Sequence, residues 1–187
     1  MNLAEEAKKY ALAEIEKYGT PMPVHFNLSE QKASALAKEL RADETIVRAG
    51  VALMDIKLGQ AAKEKRLSEH VLMSVEATKI FLEKFDLDDQ TKNKIINCVA
   101  AHHKQVEFKC LEAEICANAD CYRFIHPRGF FAYLTLLGKR YDNFEDCLKQ
   151  AETKLEEKNH ILSLAICKKE LADYYKILKQ LITDAKV

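Results

Sequence analysis

Several side chains in this sequence bear chemistry that their neighbours do not explain: His25, Asp55, His70, His102, His103 and Asp120. Asp55 ends the apolar stretch RAGVALMD, and Asp120 stands within ICANADCY. An acid among apolar residues is costly to bury unless something cationic receives it. Imidazole and carboxylate are donor types that hold Fe, Mn, Co or Zn, and a carboxylate can bridge two ions. The residues form no short-range motif such as H-E-x-x-H, so separate elements must bring them together. Spacing alone leaves a second reading open, in which they are satisfied core and surface groups.

The positioning elements read as helices throughout. Five glycines and three prolines leave little material for hairpins, and apolar residues recur at helical spacing nearly everywhere. The first helix is expected over Leu3–Tyr18, stopping at Gly19, with Pro21 and Pro23 in an extended linker. Asn27 or Ser29 is expected to cap the next helix, and Asp43 the helix that carries Val47, Val51, Met54 and Asp55. Gly50 in mid-helix implies close approach of a neighbour. Further helices are expected from Ser68 to about Phe85, Asp88 or Asp89 to His103, Glu112 to Ile125, Phe130 to Leu137, Asn143 to Glu157 and His160 to Thr183. The fold class is all-α: one globular domain over residues 1–187, of roughly eight to ten helices.

The totals narrow the function classes. Lys+Arg and Asp+Glu are equal at 29 each, so no global charge draws the chain to nucleic acid or an anionic membrane. No apolar run approaches the ~20 residues that span a bilayer. The N-terminal segment lacks the basic-then-apolar pattern of a signal peptide. The six cysteines include no C-x-x-C pair and read as free thiols. These features point to the cytoplasm.

The order of the chemical residues resembles the HD-domain superfamily of metal-dependent phosphohydrolases. His25 opens VHFNLSEQKASALAKEL, and ETIVRAGVALMDI delivers Asp55 thirty residues later. His70 in SEHVLMSVEA is similar to the family's auxiliary His, His102-His103 in VAAHHK to its paired His, and Asp120 in CANADCYRF to its closing Asp. The resemblance covers about residues 25–125, with the N-terminal helix and the C-terminal helices packed onto that unit. It implies the family's all-α fold and a divalent metal centre of one or two ions, with Fe, Mn, Co, Ni, Zn and Mg not distinguished.

In the family pattern one ion is held by the first His, the His-Asp pair and the closing Asp, which here are His25, Met54, Asp55 and Asp120. The ligand His of that pair is therefore replaced by a methionine, a soft donor poorly suited to such an ion. The resemblance implies a second site from Asp55, His70 and one or both of His102 and His103; adjacent helical residues point about 100° apart, so the two cannot face one site equally. Two ions would clamp a phosphate and activate a water. Lys57 and Lys104, and less directly Arg123 and Arg128, are candidate phosphate contacts, with solvated surface charge as the plainer reading. Asp55 could otherwise pair with Lys57. His126 and His160 have no place in the pattern.

The implied function is metal-dependent hydrolysis of a nucleotide or small phosphate ester. The alternative, motivated by Met54, is a catalytically degenerate relative that acts as a ligand-sensing or interaction module. The expected partner is a small phosphorylated substrate, with no membrane and no nucleic-acid polymer; a homo-oligomer is compatible with the apolar stripe from Leu164 to Leu181.

Overall fold

Helix α7, Leu111–Ile125, organises the molecule, and every residue from Ile115 to Ile125 is buried. A helix buried all round needs neighbours on all sides. Its small residues, Ala113, Cys116, Ala117, Ala119 and Cys121, let those neighbours come close. The computed structural model describes residues 2–186, and those residues form ten α-helices and one 3-10 turn with no strand.

The elements before α7 are α1 (Leu3–Tyr18), α2 (Pro23–Glu39), α3 (Glu44–Leu53), α4 (Leu58–Lys63), the 3-10 turn Leu67–Glu69, α5 (His70–Leu82) and α6 (Asp89–Ala101). After it come α8 (Pro127–Leu137), α9 (Phe144–Ile161) and α10 (Ala165–Asp184). Helices α2, α3, α6, α8, α9 and α10 all pack on α7, while α1 packs on α3 and α4.

Local chemistry sets most boundaries. Asn2, Asp43, Asp88 and Asn143 each accept hydrogen bonds from backbone N–H groups in the first turn of the helix that follows. Gly19 ends α1 in the left-handed region at φ 71°, where a side chain would be disfavoured. Gly50 has a different role. A Cβ there would lie 2.5 Å from Cys98 Cβ and 3.0 Å from Cys116 Sγ, so α3 meets α6 and α7 where it has no side chain.

Several expected starts and ends are displaced, among them α8, which begins at Pro127 and not Phe130, and α10, which begins at Ala165 and not His160. Helix α2 begins at Pro23, not after Asn27 or Ser29, because proline fits the first helical position, where no N–H is needed. Ser29 instead turns its hydroxyl back onto the carbonyls of His25 and Phe26. Helix α9 continues through Glu157 to Ile161, which carries Lys158 inside the helix. No helix among the described residues is long and apolar enough to cross a membrane.

Candidate metal centre

The site is built where α3 ends, α5 begins and α6 ends, beside α7. Helix α3 stops at Leu53, and a short turn follows, tied by Ile56 N–H to the Leu53 carbonyl and Leu58 N–H to the Asp55 carbonyl. Asp55 therefore projects from a turn between α3 and α4 and not from a helix face. Met54, 2% exposed, belongs to the core and lies beside a small gap lined by Ala11, Ile15, Phe26 and Val51. It does not line the main cleft.

His70, His102 and His103 come together, with a ring nitrogen of each within 4.8 Å of the others. Both members of the pair take part: His102 keeps helical dihedrals at the end of α6 (φ −64°, ψ −19°), and its ring lies 4.3 Å from that of His103, so the two reach the cluster side by side. Lys104 then turns the chain with a positive φ of 57°. Each imidazole is oriented through Nδ1. That atom donates to the Leu67 carbonyl at 2.8 Å in His70, to the Val99 carbonyl at 2.7 Å in His102, and to Glu157 Oε1 at 3.0 Å in His103. With the proton on Nδ1, each Nε2 keeps a lone pair.

Asp55 Oδ1 lies 3.5 Å from His102 Nε2 and 3.6 Å from His70 Nε2. These separations are too long for good hydrogen bonds, and the His102 Nε2 atom is buried with no hydrogen-bond partner. Two lone-pair nitrogens thus face a carboxylate oxygen, an arrangement that demands positive charge between them. A proton on His102 would serve one ring only. Burial pushes the His70 imidazole below its ordinary value of 6.5 and the His103 imidazole to about 4, which disfavours protons on those rings. One divalent ion satisfies all three rings together, so the donor set fits a metal.

The acids have other partners. Arg123 Nη1 bonds Asp55 Oδ2 and, at 2.7 Å, Asp120 Oδ1. Lys158 Nζ lies 2.6 Å from Asp120 Oδ2. All four side chains are buried. Burial alone raises both carboxyls, but the Arg123 guanidinium holds Asp55 well below the usual carboxylate range. Lys158 and then Arg123 do the same for Asp120. Of the two readings of Arg123, phosphate contact or solvated surface charge, the second fails: the residue is buried at the centre, three residues and about one helical turn beyond Asp120. Asp55 pairs with Arg123, not Lys57.

His25 stands apart from the three-histidine cluster. Its Nε2 donates to the Gly129 carbonyl at 2.9 Å, and its ring meets Phe124 edge-on at 5.3 Å. Burial, with Arg123 adding to it, lowers its imidazole to about 4. It lines the same cleft, but with Nε2 committed to a carbonyl.

Lys57 and Lys104 do not reach the cleft. Lys57 pairs with Glu14 at 3.1 Å and lies over the Tyr10 ring, because the turn after Asp55 directs it towards α1. Lys104 lies in the turn beyond His103, beside a separate surface hollow. His126 accepts from Arg128 N–H at the start of α8, and His160 is exposed.

The cleft has a volume of about 170 Å³. Asp55, His70, His103, Asp120 and Arg123 line its floor, and Arg140, Lys154 and Lys158 supply further positive charge. Leu58, Leu67, Phe124 and Leu136 form apolar walls. The sequence offers Arg123 only as a candidate phosphate contact beside a surface reading, and it does not offer Lys158 as a site residue at all. Both had a signal: Arg123 shares a face with Asp120 at i,i+3, and Lys158 continues the inward series Leu148, Ala151, Leu155.

No family model matches the chain. It is 30% identical over 135 residues to ribonuclease Y of Fusobacterium nucleatum subsp. nucleatum, covering 72% of this chain and 25% of that protein. To ribonuclease Y of Clostridium novyi (strain NT) it is 29% identical over 140 residues, covering 75% and 24%. The chain thus spans about a quarter of the length of the curated relatives it matches. A crystal structure described as a predicted HD superfamily hydrolase, from an uncultured Thermotogales bacterium, superposes with a TM-score of 0.60 at 18% identity. The match covers 81% of this chain and 84% of that one. The chain therefore shares the all-α fold of that structure.

Proposed function

We propose that this protein is a metal-dependent phosphohydrolase acting on a nucleotide or small phosphate ester. The observation that carries this reading is the buried, unpartnered Nε2 of His102, facing Asp55 Oδ1 and flanked by His70 and His103. These three histidines and Asp55 would hold one ion. A donor set dominated by imidazole suits Zn, Fe, Co, Ni or Mn better than Mg, which prefers oxygen. Once bound, the ion would supply Lewis-acid polarisation of a phosphoryl oxygen and lower the pKa of a water.

The remaining roles belong to the chain itself. Arg123 fixes Asp55 through Oδ2, so that Oδ1 alone faces the histidines. The three Nδ1 hydrogen bonds lock the rings and their tautomers, as outer-shell partners do for metal-binding imidazoles. Arg140 and Lys154 at the mouth suit the charge of a phosphate group. The leucines and Phe124 offer an apolar wall to the rest of a substrate and limit its hydration.

The test is turnover by untagged protein of phosphomonoesters, a phosphodiester, nucleotides and an RNA oligonucleotide, with each transition ion in turn. The RNA arm is included because the curated relatives are ribonucleases by name. Ion-dependent turnover that falls to background in His102→Ala and Asp55→Asn, both still helical by circular dichroism, is the expected result. Turnover indifferent to both substitutions refutes the proposal.

A second reading draws on one observation, the neutralisation of Asp55 and Asp120 by Arg123 and Lys158. It makes the protein a non-catalytic binding module that retains the fold. Ion binding without turnover across the whole panel would select it.

A further inference from the structure

We infer that the centre holds a single ion and that Arg123, backed by Lys158, occupies the place of a second. This rests on the proposal that the three histidines bind metal. Asp55 and Asp120 are the buried carboxylates of the cleft, and together they offer four oxygens. Three are engaged: Asp55 Oδ2 and Asp120 Oδ1 by Arg123 Nη1, and Asp120 Oδ2 by Lys158 Nζ. Only Asp55 Oδ1 remains for an ion, and it faces His102 and His70. A second ion between the two acids would have to displace the guanidinium.

Charge leads to the same conclusion. Two carboxylates, a guanidinium and an ammonium sum to zero, and all four are out of solvent. A guanidinium stays charged at any pH a protein tolerates. A divalent ion beside it would meet an unscreened like charge with no free anion to offset it. The histidine cluster, by contrast, presents neutral donors and one free carboxylate oxygen.

Arg123 also has donors in reserve. Only Nη1 bonds the acids, and Nε is buried without a partner although the residue lines the cleft. The guanidinium lines the cleft and would present its charge to a phosphoryl group held there. Arg123 is thus proposed both to exclude the second ion and to present its charge to the substrate.

The experiment is titration of the full, ion-stripped, untagged chain with Mn2+, followed by calorimetry and electron paramagnetic resonance. One Mn2+ per chain with the hyperfine pattern of an isolated ion is expected. Two Mn2+ per chain with an exchange-coupled spectrum would overturn the inference while leaving the metal-binding reading intact. No binding would overturn both. In Arg123→Met, with helicity and melting checked, the freed oxygens are expected to admit a second, weaker Mn2+. A stoichiometry that stays at one shows that Arg123 is not what excludes it. Should that variant not fold, Lys158→Met, which frees Asp120 Oδ2, is read in the same way.

Discussion

Lys158 and Asp120 meet 2.6 Å apart, both out of solvent, across the packed faces of α9 and α7. Removing one partner of such a pair leaves the other charge buried and uncompensated, which typically costs about 3–5 kcal/mol. Lys158→Ala is expected to destabilise the fold by that order. Lys154→Ala, one turn away on the same helix, removes a more exposed pair with Glu157 and is expected to cost no more than about 1 kcal/mol. Urea unfolding of the two variants side by side checks this; equal losses would refute the account.

Gly50 gives a prediction in which two effects oppose one another. In an open helix, Gly→Ala gains about 1 kcal/mol of helix propensity. Here the new Cβ would sit 2.5 Å from Cys98 Cβ, which is not the end of a flexible chain. Overpacking of this kind costs about 1–3 kcal/mol, and the overlap is expected to win. Gly50→Ala should therefore lower the denaturation midpoint. A rise would mean that α3 and α6 separate easily.

The buried histidines make stability depend on pH. Burial, with Arg123 adding to it at His25, holds the imidazoles of His25 and His103 at about 4 in the folded chain, against 6.5 when unfolded. Above pH 6.5 both states are neutral and stability is level. Between 6.5 and 4 the unfolded chain takes up protons that the folded chain refuses, so stability falls as pH drops, by up to about 1.4 kcal/mol per pH unit for each histidine. Below 4 the depressed Asp55 and Asp120 carboxyls continue the loss in the same direction. Unfolding measured in chelator from pH 8 to 4 should show a plateau and then a decline; a flat profile between 6.5 and 5 rules it out.

Glu157 offers a test one step removed from the proposed ion. It accepts from His103 Nδ1 and orients that ring without joining the cluster itself. Replacing an outer-shell partner of this kind weakens metal binding by about 10–100-fold. Glu157→Gln should do so in competition against a chelator, with a melting temperature close to that of the unaltered chain in the absence of ions. Unchanged affinity would show that Glu157 has no part in holding the ring.

The fold was readable because its signals are local. Asp43, Asp88 and Asn143 stand immediately before the helices they cap, and Gly19 ends α1 as its position implies. Helix α4, six residues long, is too short to show a period and was not anticipated. The order of the histidines and aspartates was readable too, but what each one faces was not. Placing the end of α9 at Glu157 left Lys158 in a loop, although its spacing from Leu155 carries it inward. Arg123 reads as a phosphate contact or as surface charge, because a single residue does not reveal that its helix is enclosed by its neighbours. Those two cations decide what Asp55 and Asp120 are free to bind.

A single turn of α9 sends Lys158 to Asp120 and Glu157 to His103. On the ribosome, Asp55 and all three clustered histidines emerge well before that turn. Until α9 docks, Asp120 has no ammonium beside it and His103 has no carboxylate to orient its ring. A chain that ends before Glu157 would therefore carry the histidines and both aspartates without the carboxylate and ammonium that α9 brings to them.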